Sequence, residues 1–415
     1  MKQLFFLLCF SWATTIWGQV NVFDLYQRSG QFYQTEAYPA FISTTDTLLK
    51  QVRNPDLLLR MAVAHQQVGN SKIAIEYLQE LAQLKICVDI DTFSVFTPLE
   101  GLTRFKKTSK KLRRNCEPIN SSSLAFQLAE KTLIPEGLAC HPSTGTFYLG
   151  SLAQHKVVQC GTDQGGSDLI QSGQDGLWSV LGMKVDPQRQ ELWLCSATEV
   201  DAAHEDAGLF GFHLKDGSLV QKILLPETDQ AHLFNDLVIT ESKIYLTDSK
   251  AGKVWNWSRG DNTLQALNTQ RDFVYPNGIA IDPSQRYLFV ADAIGIRRIN
   301  LIDQTEISLA PKLMAHLNGI DGLYFYENSL IAIQTAGQGS TRVVRFYLNK
   351  RLDSIRKMKI LQTEHPEFVI PTTGTIYQGH FYYIANSHLR SLQPDGTIVG
   401  EEKLQGTKVF RIELQ

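Results

Sequence analysis

Six stretches of the chain can be laid over one another. Each turns on a Gly or Asp preceded by a variable residue: Glu136-Gly137, Leu181-Gly182, Asn235-Asp236, Asn277-Gly278, Asp321-Gly322 and Thr373-Gly374. Successive second residues are 45, 54, 42, 44 and 52 positions apart. After each pair come a short run, a turn and a strand of β-branched and aromatic residues, as in Ile279-Ala280-Ile281, Asp282-Pro283-Ser284-Gln285 and Tyr287-Leu288-Phe289-Val290. A period of about 40–50 residues with two strands visible per unit predicts a mainly β chain built on a six-bladed β-propeller over residues 124–415. Leu124-Ala125-Phe126-Gln127-Leu128 precedes the first unit without a partner. It is expected to become the outer strand of the last blade, beside Lys408–Leu414, because closure removes an exposed sheet edge.

In a propeller the innermost strands line the central axis, so the residues that open them ring one end of the channel. That brings together Glu136, Asn235, Asn277 and Asp321, four of the six equivalent positions. All four offer oxygen and none offers thiolate or imidazole, which suits a hard cation such as Ca²⁺ with its roughly 6–8 oxygen ligands. Asn and Asp before Gly are also ordinary turn residues. Their recurrence at one phase of one repeat, with two carboxylates and two amides, is the argument for a metal. Leu181 and Thr373 hold the other two positions, so the site is expected to open on the flank of the second and sixth blades. Asp236 is a candidate brace for Asn235. The insertion Ala197–Gly208 should border the pocket, with His204 as a candidate substrate contact against the plainer reading of a solvated acidic loop. Asp248 and Asp292 read as rim turn residues.

The first 123 residues have other periods. Residues 1–18, MKQLFFLLCFSWATTIWG, form a short apolar run behind one Lys and read as a signal peptide, hence export to a periplasmic or extracellular space. Residues 19–116 are helical. Asn54-Pro55 starts one helix, Gly69-Asn70 ends it, and Ser71 is expected to cap the next. Leu58, Met61, Ala62 and His65 share one face, with His65 as a packed core residue; Ile73, Tyr77, Leu78 and Leu81 repeat on the second helix. The pair looks like one tetratricopeptide-type unit, a possible dock for a protein partner. Residues 117–123 are Pro-, Asn- and Ser-rich and read as a linker. A Cys87–Cys116 bridge is open to such a chain, while Cys140 and Cys195 sit in apolar strands. The basic run Lys106–Arg114 suits a solvated helix end in a chain whose net charge is −2, and that charge gives no reason to expect nucleic acid or an anionic membrane as partner. No later run is long and apolar enough for a membrane span.

Motifs of serine hydrolases, zinc proteases and nucleotide enzymes are missing: there is no G-x-S-x-G, H-E-x-x-H, C-x-x-C, Walker loop or G-x-G-x-x-G. Pro135-Glu136-Gly137, Phe234-Asn235-Asp236, Pro276-Asn277-Gly278 and Ile320-Asp321-Gly322, in that order, resemble the four metal-ligand motifs of the regucalcin/gluconolactonase family, and more distantly those of paraoxonase-type lactonases. The resemblance covers about residues 124–415. It implies a central Ca²⁺ or other divalent ion and hydrolysis of lactones or related small esters. It implies Glu136, Asn277 and Asp321 as direct ligands, Asn235 as a ligand or substrate contact, and Asp321 also as general base. Thr373, at the sixth ring position, is a candidate for contact with substrate or for support of the ligands. One departure stands out. The second unit opens Val180-Leu181-Gly182-Met183, without the histidine of paraoxonase-type enzymes, which speaks against their mechanism and leaves the metal-plus-aspartate one. The rival reading is a binding module, in which the propeller holds a structural ion and the helices dock a partner.

Overall fold

The structure, a computed structural model, describes residues 22–162, 165–198, 206–226, 230–336 and 340–414. The signal-like segment 1–18 and His204 lie outside the described residues. Residues 22–115 hold five helices, α1 (Val22–Gln34), α2 (Tyr38–Leu49), α3 (Pro55–Gln67), α4 (Ser71–Gln83) and α5 (Thr103–Asn115), each packed on the next. From residue 122 the chain is a six-bladed β-propeller.

The helical module follows its local signals closely. Asn54 caps α3, its side-chain oxygen accepting from the Asp56 and Leu57 amides at 2.9 and 3.3 Å. Gly69 turns the corner at φ 82°. Two expectations need correction. Asn70, not Ser71, is the N-cap of α4, and Ser71 is already helical. Ile73 is exposed, whereas Ala74, Ile75, Leu78, Leu81 and Ala82 are buried. The apolar stripe of α4 is thus rotated from the expected one: Ile75, Leu78 and Leu81 share a buried cluster with Leu58, Leu59 and Ala62, while Ile73 is left outside it. His65 is buried and stacks on Tyr77 with centroids 5.5 Å apart. Cys87 and Cys116 form a disulfide that ties the end of the module to the segment after α4. Cys140, Cys160 and Cys195 are free and buried. The Lys106, Lys107, Lys110 and Lys111 face of α5 is exposed, and Arg113 pairs with Asp91 at 2.6 Å. Among the described residues no helix is long and apolar enough to cross a membrane.

Each blade is an antiparallel meander whose first strand lies at the hub. The hub strands are Pro135–Cys140, Ser179–Asp186, Phe234–Ile239, Ile279–Ile281, Ile320–Tyr326 and Gly374–Tyr377. Each packs beside the next, and the sixth returns to the first. Closure is as expected. Ser122–Gln127 pairs antiparallel with Lys408–Glu413, placing residues from the two ends of the propeller in one sheet. The segment 117–123 is more than a connection: Ile119 and Asn120 pair with Thr363 and Gln362 on the outer edge of blade 5.

A feature beyond simple alternation shapes the hub. In blades 1, 2, 3 and 5 the pairing register shifts across the repeated pair itself, between Pro135 and Leu138, Val180 and Met183, Phe234 and Leu237, and Ile320 and Leu323. These are β-bulges, which insert an unpaired residue and re-aim side chains. The repeat glycines are needed here for close approach. A Cβ on Gly137 would strike the Leu181 carbonyl, one on Gly278 the Asp321 carbonyl, and one on Gly182 would lie 2.5 Å from the Asn235 carbonyl oxygen. Both obstacles nearest Gly278 are backbone atoms of blade 5, so neither can rotate away. Gly278→Ala is therefore expected to destabilise by roughly 2–3 kcal/mol through overpacking, read as a lower urea midpoint at unchanged slope.

Helices and propeller are held together at several points. Leu25, Leu48, Val52 and Leu57 form a cluster with Ile294 of blade 4. Arg342 of blade 5, 1% exposed, donates to the Leu84 carbonyl at the end of α4 at 3.3 Å, satisfying a helix-end acceptor. Its second terminal nitrogen meets His316 Nε2 at 2.6 Å, and burial followed by the Arg342 charge drives the His316 pKa far down. His316 is therefore neutral, accepts at Nε2, and donates from Nδ1 to Asn318 Oδ1 at 2.9 Å.

Candidate functional site

The predicted oxygens stand at the starts of the hub strands, in bulged pairs in blades 1, 3 and 5 and without a bulge in blade 4. Glu136 is 6% exposed, and its carboxyl is driven well above the carboxylate range, first by burial and then by the charges of Asp321 and Asp236, while the Thr372 hydroxyl beside it works the other way. Asp321 is pushed up to about 7, again first by burial and also by Asp236; the neighbouring Asn277 amide pulls it down. Three carboxylates from blades 1, 3 and 5 thus feel one another, which separate turn residues on a wide ring would not. Thr373 closes the sixth position by donating its hydroxyl proton to the Glu136 carbonyl.

Blade 3 is cross-braced to blade 4. Asn235 Nδ2 donates to Ser249 Oγ at 3.2 Å, and Ser249 Oγ donates to the Pro276 carbonyl at 2.6 Å. Thr247 donates to the Asn277 carbonyl at 2.7 Å. Asp236 takes the Leu237 amide at 2.8 Å and Lys184 Nζ at 2.9 Å, and Lys184 Nζ lies 5.6 Å from the centre of the Tyr324 ring. The Tyr324 hydroxyl accepts the Gly374 amide at 2.6 Å, and its pKa is raised by burial first and by Asp236 next.

A cation would answer unmet needs in this arrangement. Glu136 Oε2, Asn277 Oδ1 and Asp236 Oδ2 are buried acceptors with no hydrogen-bond donor. Buried polar groups without partners are costly, and clustered acceptors beside coupled carboxylates suit a hard cation. Among the described residues no three His, Cys, Asp or Glu side chains converge as a metal cluster. Glu136 and Asp321 bring carboxyl groups together here, and Asn277 adds a buried amide oxygen.

The opening of the site is not where the ring positions of Leu181 and Thr373 suggested. Leu181 is buried in an apolar cluster that also contains Ile134, Leu152 and Leu404, with Leu389, Leu392 and Ile398 packed on it. The long blade 6 loop between Ile384 and Lys408 thus adds apolar cover on the flank of Leu181. A leucine at a ring position leaves an apolar spot that a loop can bury rather than a gap for solvent. The cavity that reaches the ring lies on the other side, about 320 Å³ in volume, lined by Asn277, Asp292, Asn318 and Asp321 of blades 4 and 5 and by Tyr26, Asn54 and Asp56 of the helical module.

The rim aspartates serve the backbone. Asp292 accepts the Ile294, Gly295 and Val274 amides. Asp248, wholly buried, accepts the Leu233 and Ala251 amides and the Trp255 indole, and holds His232 Nδ1 at 2.6 Å. Sequence reasoning missed Lys184, Tyr324 and Thr372. A signal existed for two of them. Lys184 and Tyr324 stand two residues after the repeat glycine, between apolar neighbours, at the next position on the same face. Asn318 and the helical contributors had no such signal.

Neither a protein-family model nor a curated protein matches the sequence. Solved structures do resemble it. A glucose dehydrogenase structure has 12% identity and a TM-score of 0.51, over 71% of this chain and 100% of the other. The PQQ-bound aldose sugar dehydrogenase of Streptomyces coelicolor has 12% identity and a TM-score of 0.50, over 71% and 99%. A gluconolactonase of Xanthomonas campestris has 17% identity and a TM-score of 0.48, over 72% and 91%. The chain shares its propeller fold with the two dehydrogenases. Fold alone does not carry function, which has to be argued from the site.

Proposed function

We propose that the chain is an exported, metal-dependent hydrolase of lactones or related small esters. The observation that carries this reading is the pair of buried acceptors without donors, Glu136 Oε2 and Asn277 Oδ1, beside an Asp321 carboxyl held near neutrality. Glu136, Asn277 and Asp321, with Asn235, would hold one divalent cation, Ca²⁺ by the hardness of the donors. When bound, such an ion supplies a positive charge next to the carbonyl oxygen of the substrate. Asp321 is the general base: one carboxylate oxygen takes a proton from the attacking water, and that proton passes to the alkoxide released as the ring ester opens. Lys184 fixes Asp236, Ser249 holds the Asn235 side chain, and Thr373 holds the backbone of Glu136. The Cys87–Cys116 disulfide suits an oxidising compartment, in keeping with export.

The test is to strip the purified protein with chelator, restore Ca²⁺, and assay a lactone and ester panel. Turnover that disappears with chelator and returns with Ca²⁺ supports the reading; none above that of the Asp321→Asn variant removes it. The exposed lysine face of α5 favours a second reading, a binding propeller whose tetratricopeptide-like helices dock an acidic protein partner. An ion that raises stability while no panel member turns over would favour that one.

A further inference from the structure

The helical module is an addition to the propeller, yet it supplies part of the wall of the cavity that reaches the ring. Tyr26 of α1 and the Asn54-Pro55-Asp56 start of α3 line this cavity together with Asn277, Asn318 and Asp321. The wall is held firmly. Ile294 packs into the cluster of Leu25, Leu48, Val52 and Leu57, Arg53 reaches Met314 at 3.2 Å, and Arg342 links the end of α4 through His316 to Asn318, itself a lining residue. A wall with three separate ties is preorganised rather than ordered on binding.

The lining chemistry has a clear sign. Asp56, Asp292 and Asp321 contribute carboxyl groups, Tyr26 and Thr335 hydroxyls, and Asn318 an amide; among the described residues no Lys, Arg or His lines the cavity. Tyr26 Oη accepts from Asn54 Nδ2 at 3.2 Å, which leaves its own proton to donate. Asp56 lines the same cavity, so the wall presents a hydroxyl donor and a carboxylate acceptor to one space.

We propose that the helical module is the specificity wall of this site: Tyr26 and Asp56 hold hydroxyl groups of a neutral, polyhydroxylated lactone, Tyr26 donating and Asp56 accepting, and the Asp56 charge turns anionic lactones away. This rests on the hydrolase reading. Both residues act on binding, since neither stands among the ring oxygens.

The experiment compares kcat and KM of wild type, Tyr26→Phe and Asp56→Asn on glucono-1,5-lactone and on its 6-phosphate, with Ca²⁺ present and with melting temperatures recorded. Tyr26→Phe is expected to raise KM for the neutral lactone about five-fold with kcat little changed, the size of one lost hydrogen bond. Asp56→Asn is expected to raise the ratio of kcat/KM, phosphorylated over neutral, about ten-fold. A merely structural role for Asp56 would lower both substrates together and leave that ratio alone. Unchanged KM and ratio in both variants overturn the proposal and leave the hydrolase reading standing. So does a wild type that turns over apolar lactones or esters but not glucono-1,5-lactone. A wild type inactive on every lactone and ester removes the hydrolase reading, and the proposal falls with it.

Discussion

Asp321→Asn is expected to lower kcat/KM for lactone hydrolysis by about 10²–10⁴-fold, the usual range for removing a general base. It is also expected to make the metal-free protein more stable at pH 8. The two effects share one cause. The Asp321 carboxyl, ordinarily near 3.8, is pushed up to about 7 by burial and by Asp236, so at pH 8 the fold carries a charge it disfavours. An asparagine of nearly the same shape removes that charge and relieves Glu136, which feels Asp321 directly. In chelator at pH 8 the variant should melt several degrees higher than wild type. At pH 5 the difference should close, since wild-type Asp321 is then protonated. Added Ca²⁺ should reverse the order, because the variant keeps only one of the two carboxylates that would hold the ion. Stability set against activity in this way marks a functional group rather than a structural one. A variant retaining half of the wild-type rate, or one less stable than wild type in chelator at pH 8, would count against a role for Asp321 in the chemistry.

The second large effect is the coupling of pH, ion and stability. A carboxyl with a raised pKa in the folded state contributes stability that is fully present below its unfolded pKa, about 4, and is lost as pH rises through the folded value, about 7 for Asp321. Glu136 shifts in the same direction, so the two losses add. In chelator the melting temperature should therefore fall between pH 5 and pH 8, against the trend of proteins whose carboxylates are salt-bridged. Ca²⁺ must displace those protons, so its affinity should rise across the same interval, with proton release on binding near pH 6. Calorimetry in two buffers of unlike ionisation enthalpy reads the released protons directly. Binding without proton release, or a melting temperature in chelator that climbs from pH 5 to pH 8, would show that the ring carboxyls are not held together as described.

What the linear order of residues determined about this protein is its repeating architecture. Six glycine- or aspartate-centred pairs at a spacing near 40–50 residues, an unpartnered run at 124–128 and a last strand at 408–414 are enough to specify blade number, meander and closure, because those depend on local pattern and on the cost of an open edge. That Glu136, Asn277 and Asp321 are neighbours was legible for the same reason: a repeat phase fixes which side chains share a ring. Only the tertiary structure decided the rest. The bulges at 136–137, 181–182, 235–236 and 321–322 break the period of two that sequence reasoning extends along each strand. Burial of Leu181 in the cluster with Leu404 joins residues far apart in the chain, and it covers the flank where an opening was expected. The seating of α1 and α3 over blades 4 and 5 depends on Ile294, Met314 and Arg342, residues whose partners lie hundreds of positions away. Local pattern sets local geometry. The mouth of a pocket is made by contacts between segments that share no period, and folding alone brings these together.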